Sequence, residues 1–291
     1  MSEYHIPVLL HESVEALSIN PSGIYLDATF GVGGHSREIL TRLGPEGRLI
    51  VLDQDAEALE NAPEDERVIP CHTNFRFVHN FVRYSGFEGV DGIIADLGVS
   101  SHQFDTGERG FSFRFENAEL DMRMNTLAKK NARMVVNDYE QEDLERIFRM
   151  YGEVEGSGRV ASLICSARSK GAINTTGDLE AAVSGILPKF GEHKVLAKIY
   201  QALRIEVNDE MKVLEKFMPL AIKSLNPGGV LAVITYHSLE DRIVKNAIRD
   251  AVAERVLDKV NKKPVLPSEE EIAANTRARS AKLRIARRRE E

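Results

Sequence analysis

Short apolar segments that alternate with helical patterns constrain the fold of this chain more than any other sequence feature. Four of them, each bounded by Gly, Pro or acidic residues, lie at 24–28, 48–52, 68–71 and 92–97. Buried parallel strands have this composition, because helices cover both faces of their sheet. Helical patterns lie between the segments, as at Ile39, Leu40 and Leu43. The alternation predicts a doubly wound, mostly parallel α/β sheet.

The alternation stops after Leu97 and resumes with a helix predicted over 209–226, which the turn Asn-Pro-Gly-Gly ends before the strand VLAVIT. Residues 105–204 have helical patterns and no convincing strand; YEQEDLERIFRMYG and GRVASLICSARS are the clearest helices. We therefore predict a Rossmann-like core formed by 1–104 and 205–291. The helical insert at 105–204 is itself the size of a domain, and it is a candidate for substrate recognition.

Composition and charge exclude several classes of protein. The 291 residues are 43% hydrophobic, and no apolar run approaches the roughly 18–20 residues of a membrane span. The first residues, MSEYHIPVLLHES, lack the features of a signal peptide, so we expect a cytoplasmic protein with no membrane partner. Cys71 and Cys165 form neither a disulfide framework nor a zinc spacing, and no other cluster has metal-ligand spacing, so no metal is implied.

A glycine-rich turn, DATFGVGGHSREIL at 27–40, leads from the first predicted strand into a helix. Glycines at 31, 33 and 34 let a ligand touch the backbone beside the helix N-terminus. Asp53 ends the second strand, where an acid can accept hydrogen bonds from both ribose hydroxyls. The turn and the acid together predict a nucleotide-type cofactor. The alternative is a tight turn with a helix cap.

Asp27 and the residues after the glycines bear on which cofactor is bound. A dinucleotide turn needs a small residue for close helix packing, and here Ser36 stands at that position, preceded by the bulky His35. Asp27 would repel a pyrophosphate, but it would face a cationic amino group such as that of S-adenosylmethionine. The residues favour S-adenosylmethionine without excluding NAD, so an NAD-dependent oxidoreductase is the second interpretation.

Eight motifs occur in order along nearly the whole chain: HIPVLLHE, DATFGVGGHS, DLGVSS, RGFSF, LDMRMN, LRIEVNDE, YHSLEDR and RARSAKLRIA. Together they resemble the MraW/RsmH methyltransferases. The resemblance implies an enzyme that methylates the exocyclic N4 amine of a cytosine in the decoding centre of bacterial 16S rRNA. It also implies S-adenosylmethionine as donor, the assembled small ribosomal subunit as partner and an inserted helical domain. A non-catalytic ribosome-assembly factor is a third interpretation, and the oligomeric state stays open, a homodimer included.

The resemblance also implies a set of cofactor-binding positions: Gly33, Gly34, His35, Asp53, Phe75, Asp96 and Gln103. Phe75 follows the third strand, where an aromatic ring can stack on adenine or simply pack in the core. Asp96 closes the fourth strand at the edge where such sheets bind ligands, although a helix cap is the alternative. Gln103 is a candidate hydrogen-bond partner for cofactor or base.

Three residues are candidates for catalysis: Asp96, Ser100 and His237. A cytosine amine is a poor nucleophile, so the enzyme must align it with the methyl group and aim acceptors at its N–H groups. Many amine methylases use Asp-Pro-Pro-Tyr after the fourth strand, whereas this chain has Asp96-Leu-Gly-Val. Ser100 or Ser101 would lie at the base edge. His237 is a candidate for contacting the base or its phosphate; the alternative is a histidine satisfied at a strand-to-helix turn.

Other features of the insert have structural and functional interpretations. Phe111, Phe113 and Phe115 alternate in RGFSFRF; they either stack on bases or, as we expect, pack the insert against the core. Asp121 and Arg123 are predicted to form an ion pair. Carbon methylation would need a thiolate, and neither cysteine has the setting of a catalytic nucleophile.

A basic segment at 277–289 contrasts with the net charge of −7. It is either a solvated tail or, because LRIA alternates apolar residues, a basic-flanked edge strand. An acidic protein needs local patches to hold RNA, and this segment, helped by Lys129, Lys130 and Arg133, is the best local patch.

Overall fold

The computed structural model describes residues 7–100, 103–104, 107–115, 117–188 and 190–290. The chain divides into two compact units. The core unit comprises 1–100 and 211–291, and the insert unit comprises 101–210. The start of the HIPVLLHE motif and Ser101 lie outside the described residues.

The core unit is built on one sheet with the strand order β3-β2-β1-β4-β5-β7-β6. Strands β1 to β5 pair in parallel, and β7 is antiparallel to both of its neighbours. The described strands are β1 (Ile24–Asp27), β2 (Arg48–Asp53), β3 (Val68–His72), β4 (Val90–Asp96), β5 (Leu225–Thr235), β6 (Leu257–Lys259) and β7 (Lys282–Arg288). The predicted doubly wound, mostly parallel sheet is confirmed.

The helices lie as follows along the described chain: α1 Leu10–Ala16, α2 Gly34–Arg42, α3 Ala56–Leu59, α4 Val78–Tyr84, α5 Ala132–Asp138, α6 Gln141–Met150, α7 Ser157–Arg168, α8 Thr176–Val183, α9 Glu192–Asn208, α10 Glu210–Ser224, α11 Ser238–Ala253 and α12 Glu269–Ala274. Successive strand residues point to opposite faces. Leu26 joins one buried cluster with residues of α4, α10 and α11, whereas Tyr25 joins a second cluster with residues of α1 and α2. Both faces of the sheet are therefore covered, which explains the continuous apolar strands.

The sequence predicts that the Asn-Pro-Gly-Gly turn is a loop between a helix and a strand. In the structure it is not such a loop. Helix α10 ends at Ser224, and β5 begins at once with Leu225 paired to Val90. The next paired residues are Gly92 and Val230, so 226–229 bulges out of the strand. The proline lacks an N–H for a ladder bond, and Gly228 has φ of 78°, which explains why the irregularity falls there.

The basic C-terminal segment is neither a solvated tail nor an edge strand. Its residues 282–288 form β7, which lies between β5 and β6, and a 3₁₀ turn at Thr276–Ser280 precedes this strand. Leu283 and Ile285 are buried, and Arg284 binds both carboxylate oxygens of Asp241 in α11, at 2.7 and 3.0 Å. Burial of the apolar side chains and neutralisation of Arg284 allow so basic a segment to occupy an inner position.

The insert unit is helical from α5 to α9, but the predicted helicity is wrong for 107–131. Apart from a 3₁₀ turn at Gly107–Arg109, that segment is irregular in its described part. Its backbone is held by Asn208, whose amide bonds Met122 O and Met124 N, each at 2.8 Å. The predicted ion pair between Asp121 and Arg123 is confirmed at 2.6 Å. In the described part of the chain no helix is long and apolar enough to cross a membrane.

The phenylalanines of RGFSFRF pack partly within the insert unit. The ring of Phe113 stacks on His193, with centroids 5.5 Å apart and planes 11° apart, and it meets Tyr200 edge-on at 5.6 Å. Phe111 is buried, while Phe115 is 37% exposed. These contacts give Phe113 a structural role that does not depend on RNA.

The Arg284–Asp241 pair gives a test of what holds β7. The two side chains are 16% and 14% exposed. Burial would raise the pKa of Asp241, but the hydrogen bonds from Arg284 and the nearby Lys282 hold it below its ordinary value. The ionised carboxylate of Asp241 therefore stabilises the fold at pH values above the ordinary pKa of aspartate. This stabilisation is lost as the pH falls through the lowered pKa of Asp241.

We expect Asp241→Asn to lower the free energy of unfolding at pH 7 by about 1–3 kcal/mol, because it leaves Arg284 without its carboxylate. Urea denaturation monitored by circular dichroism measures this. Asp250→Asn is the matched control, since both partners of the Arg249–Asp250 pair are 60% exposed. Equal loss in the two variants, or a difference from the wild type that does not shrink as the pH falls below the ordinary pKa of aspartate, would contradict the assignment.

Candidate functional site

Three carboxylates end three neighbouring strands of the core unit. Asp27, Asp53 and Asp96 are the last residues of β1, β2 and β4, and the sheet order places β1 between the other two. Asp27 is only 2% exposed, and the other two are half-buried. In open α/β sheets this carboxyl edge is where ligands bind. The fold thus brings together acids that are separated by 26 and 43 positions in the sequence.

Asp53 fixes the glycine-rich turn from the neighbouring strand. The backbone N–H of Gly31 donates to Oδ2 of Asp53 at 2.8 Å, and the N–H of Asp55 donates to Oδ1 at 2.9 Å. Gly31 has φ of 55°, which disfavours a side chain there. The N–H of Gln54 also hydrogen-bonds this carboxylate. Because the two carboxylate oxygens offer about four lone pairs, Asp53 can hold the turn and still accept a hydrogen bond from a ligand.

Gly33 and Gly34 are required by the chain's own packing. Gly33 precedes α2 in the left-handed region, and a Cβ on it would lie 2.6 Å from the ring of Phe30. A Cβ on Gly34 would lie 2.0 Å from Cγ of Pro7. The sequence offered ligand contact as the reason for these glycines; the structure adds close intramolecular contacts that would exclude a side chain at either position.

Asp27 anchors the start of α2. Its Oδ2 accepts a hydrogen bond from Oγ of Ser36 at 2.7 Å, and Oδ1 accepts one from the N–H of Thr29 at 3.1 Å. Burial raises the pKa of Asp27 to about 6, even though these hydrogen bonds oppose the shift. Ser36 is thus needed as a hydrogen-bond donor, which is a different reason from the close packing expected of a dinucleotide turn.

Asp96 is bound from both sides of β4. Its Oδ1 accepts a hydrogen bond from the hydroxyl of Tyr236 at 2.7 Å, and its backbone N–H donates to Oγ1 of Thr29 at 2.7 Å. Burial raises the pKa of Asp96 to about 7, with repulsion from Asp27 and Glu240 adding to the shift. Burial, and the charge of Asp96, also raise the pKa of the Tyr236 hydroxyl, which stays a donor at neutral pH.

Tyr236 is the site residue that sequence reasoning missed. The motif YHSLEDR, which follows β5, predicts His237 as a site residue and does not identify Tyr236. A hydroxyl-bearing aromatic residue directly after a strand at the ligand-binding edge was the available signal. His237 itself caps α11: its Nδ1 lies 3.5 Å from the N–H of Glu240, while a Glu240 oxygen accepts from the N–H groups of Tyr236 and His237 at 2.8 and 3.4 Å. This geometry matches the strand-to-helix alternative, so contact of His237 with the substrate stays a prediction.

His35 and Phe75 are the other predicted site residues of the core unit near this edge. His35 is 6% exposed, and burial lowers its pKa to about 4, so the ring is neutral. Within the described residues its buried Nε2 has no hydrogen-bond partner. Phe75 follows β3 in a 3₁₀ turn that Asn74 caps, and its ring meets Phe217 edge-on at 5.0 Å.

Ser100 and Gln103 differ in where the fold puts them. Ser100 belongs to the core unit, and its Cβ would lie 3.6 Å from a Cβ built on Gly31, so it lies against the glycine-rich turn. Gln103 is 5% exposed and belongs to the insert unit. Its predicted contact with cofactor or base stays a prediction.

The carboxyl edge suits a cationic ligand. Three acids lie at the ends of adjacent strands, and repulsion from neighbouring acids contributes to the raised pKa of each. A positive group relieves this repulsion, whereas a pyrophosphate would increase it. S-adenosylmethionine carries a sulfonium and an amino group beside a ribose diol. The three acids therefore fit the cationic S-adenosylmethionine better than the pyrophosphate of NAD, while Asp53 would fit the ribose of either cofactor.

The chain is similar to several known proteins. A profile of the MraW methylase family matches residues 2–289. The ribosomal RNA small subunit methyltransferase H of Flavobacterium johnsoniae is 52% identical, covering 98% of this chain and 97% of its own. The protein of the same name from Parabacteroides distasonis is 50% identical, covering 97% of each chain. A solved rRNA methylase from Streptococcus thermophilus is 12% identical, with a TM-score of 0.43 and coverage of 98% and 99%.

The match extends over nearly the whole chain and includes the glycine-rich turn and all three acids of the carboxyl edge. It confirms the predicted methyltransferase activity and, with it, S-adenosylmethionine as the methyl donor. It also excludes the oxidoreductase interpretation. The chain belongs to the MraW methylase family.

Proposed function

We propose that this protein transfers a methyl group from S-adenosylmethionine to the exocyclic N4 amine of a cytosine in the decoding centre of 16S rRNA. The proposed substrate is the assembled small ribosomal subunit. The names of the relatives at 50–52% identity support small-subunit rRNA as the substrate class. The protein is accordingly proposed to act in the cytoplasm, where ribosomal subunits are assembled.

The geometry of Asp96 is the observation that supports this proposal, because its carboxylate is placed to accept a hydrogen bond from the cytosine amine. The lone pair of a cytosine amine is delocalised into the ring, so catalysis needs an acceptor that favours localised charge on nitrogen. Tyr236 occupies Oδ1 of Asp96, and in the described part of the chain Oδ2 accepts no hydrogen bond. A carboxylate with a pKa of about 7 is also matched to taking a proton from the amine at neutral pH.

The remaining residues of the edge position the two reactants. S-adenosylmethionine, when bound, supplies an electrophilic methyl group on its sulfonium. We assign Asp53 to the ribose hydroxyls, Phe75 to the adenine face, and Gly33, Gly34 and His35 to the rest of the cofactor. Ser100 lies beside the turn, where its hydroxyl is placed to contact the base.

The alternative of methylation at cytosine carbon is disfavoured by the cysteines. That chemistry needs a thiolate. Cys71 is buried, and burial raises the pKa of its thiol. Cys165 lies in α7 of the insert unit.

The proposed reaction is tested by incubating the protein with labelled S-adenosylmethionine and small subunits from a bacterium that lacks the homologous enzyme. The RNA is digested to nucleosides and analysed by mass spectrometry. We expect N4-methylcytidine, and we expect assembled subunits to be methylated far better than naked RNA, because the amine must be unpaired to react. Label in 5-methylcytidine or in another base would refute the amine assignment, and absence of label would refute the substrate.

Asp53 is tested by cofactor binding. Asp53→Ala should weaken binding of S-adenosylmethionine by about 30- to 1000-fold, because two charge-assisted hydrogen bonds to the ribose are lost. Isothermal titration calorimetry measures the dissociation constant. Glu57→Ala, an exposed acid in the neighbouring α3, serves as the control and should bind normally. Normal binding by a folded Asp53→Ala variant would remove Asp53 from the site.

The raised pKa values of Asp27 and Asp96 predict a pH dependence. A cation binds better to the ionised carboxylates, so affinity for S-adenosylmethionine should rise as the pH increases through about 6–7, and binding should release protons. Calorimetry in two buffers of different ionisation enthalpy counts these protons.

Asp96→Asn keeps an acceptor for Tyr236 but removes the charge, so it should reduce the proton release and slow methyl transfer more than it weakens RNA binding. A carboxyl whose pKa is higher in the folded than in the unfolded protein contributes to stability at pH values below its pKa in the unfolded protein. This contribution is lost as the pH rises through its pKa in the folded protein. Without bound cofactor, the Asp96→Asn variant should therefore have a free energy of unfolding about 1–3 kcal/mol larger than that of the wild type at pH 8. Below pH 4 it should be no more stable than the wild type. Unchanged proton release together with unchanged stability would contradict the assignment.

A further inference from the structure

The basic segment 277–289 is split between the two ends of the sheet. Because β7 is antiparallel to β5, its first residue, Lys282, pairs with Thr235 at the carboxyl edge. Arg287 pairs with Val230 at the start of the regular part of β5. Lys282 therefore lies at the end of the sheet where Asp96 lies, and Arg287 lies towards the opposite end.

The register sets the distances involved. Asp96 pairs with Ile234, the residue before Thr235, so Lys282 is two strand spacings and one residue step from Asp96. At about 4.8 Å per strand this places the two Cα atoms roughly 10 Å apart. Arg287 is five steps back along β7, about 17 Å below the carboxyl edge, and its Cα lies roughly 16 Å from that of Asp96. A nucleotide whose amine lies at Asp96 has its neighbouring phosphates within reach of the Lys282 end of β7 and beyond the reach of the Arg287 end.

The side chains at the carboxyl edge are available for a ligand. Arg279 lies in the 3₁₀ turn Thr276–Ser280, which leads into the first residue of β7 at this edge. It is exposed and forms no ion pair with an acid in the described part of the chain. Lys282 is 41% exposed; its Nζ lies 3.6 Å from Asp241, whose two oxygens are already bound by Arg284. Since Arg284 already neutralises that carboxylate, the group of Asp241, Arg284 and Lys282 carries one net positive charge, and Lys282 is its more exposed cation.

Other basic residues have contacts of their own. Arg288 donates to the backbone carbonyl of Ile222 at 3.3 Å, and Arg289 lies 3.3 Å from Asp258. In the insert unit, Lys130 lies 3.5 Å from Glu206 and 3.4 Å from Asp209.

The predicted contribution of the insert to the basic patch is therefore reduced, because Arg133 also lies 3.9 Å from Glu119. In the core unit, α12 begins with three acids, Glu269, Glu270 and Glu271, so the basic segment begins only after this helix.

We infer that Arg279 and Lys282, and not Arg287 to Arg289, contact the RNA phosphates next to the methylated cytosine. The inference rests on the proposed function, because it places an RNA strand at Asp96. It gives the C-terminal strand two separate roles. Its first end binds substrate beside the active site, while its second half closes the sheet.

The test compares two double variants of the same strand. Arg279→Gln/Lys282→Gln alters the proposed contacts, and Arg287→Gln/Arg289→Gln is the matched control. Each pair removes two positive charges from exposed or half-exposed side chains, one of which in each pair has a surface acid within 3.6 Å. Circular dichroism and calorimetry with S-adenosylmethionine should show that both variants fold and bind the cofactor as the wild type does.

Binding to unmethylated small subunits is then measured by filter retention over a series of KCl concentrations. Loss of two contacts to single-stranded RNA should flatten the slope of log affinity against log salt by about 1.4 in Arg279→Gln/Lys282→Gln. The control should keep the wild-type slope. An unchanged slope in the first variant, or an equal or larger change in the control, would overturn the assignment.

Failure of the proposed function is distinguishable from failure of this inference. If the wild type transfers no methyl group to the subunits, the proposed substrate is wrong, whatever the salt slopes are. If transfer occurs and the slopes of the two variants do not differ, only the placement of the phosphate contacts is wrong.

Discussion

The hydrogen bond from Gly31 to Asp53 links the two parts of the sequence on which the cofactor site depends. It joins a turn after β1 to the last residue of β2 at 2.8 Å. A backbone donor in a left-handed turn cannot be satisfied within its own strand, and the neighbouring acid supplies the acceptor. The same carboxylate is the one that we propose to bind the ribose of the cofactor. One residue therefore stabilises the turn and prepares the ligand site, so a substitution there affects both.

Buried negative charge is the second constraint on this edge. Asp27, Asp53 and Asp96 each end a strand of a parallel sheet, where their side chains are crowded and partly removed from water. Their pKa values rise in consequence. In the free protein this arrangement is unfavourable at neutral pH, and a cationic methyl donor relieves it. The crowded acids thus lower the stability of the protein without its cofactor, and the same charges favour binding of a sulfonium over a pyrophosphate.

The C-terminal strand shows how one segment can serve both the fold and the substrate. Arg284 is held by Asp241 and Arg288 by a backbone carbonyl, so these charges stabilise the sheet. Arg279 and Lys282, at the other end, are exposed. A basic sequence within an acidic protein is therefore not one patch. Because β7 is antiparallel to β5, the first charges of the segment lie at one end of the sheet and the last charges lie towards the other end.

The sequence alone determined the class of fold, because apolar strands buried on both faces and helical periodicity between them are local properties. It also placed the glycine turn, Asp53 and Asp96 at strand ends, since an acid directly after an apolar run marks where burial stops. Only the tertiary structure decided the partners of those residues. Tyr236 meets Asp96 across 140 positions, and no local pattern encodes that contact.

The tertiary structure also overruled local patterns at three places. Residues 226–229 bulge within β5, because the strand continues to pair on both sides of the turn. The described part of 107–131 is irregular, because the side chain of Asn208, which is 86 and 84 positions away, binds the backbone of Met122 and Met124 in place of helical hydrogen bonds. Residues 282–288 of the basic segment lie inside the sheet, because burial of Leu283 and Ile285 and the carboxylate of Asp241 offset their charge. In each case the deciding partner is distant in sequence, and that is why the sequence by itself could not supply the answer.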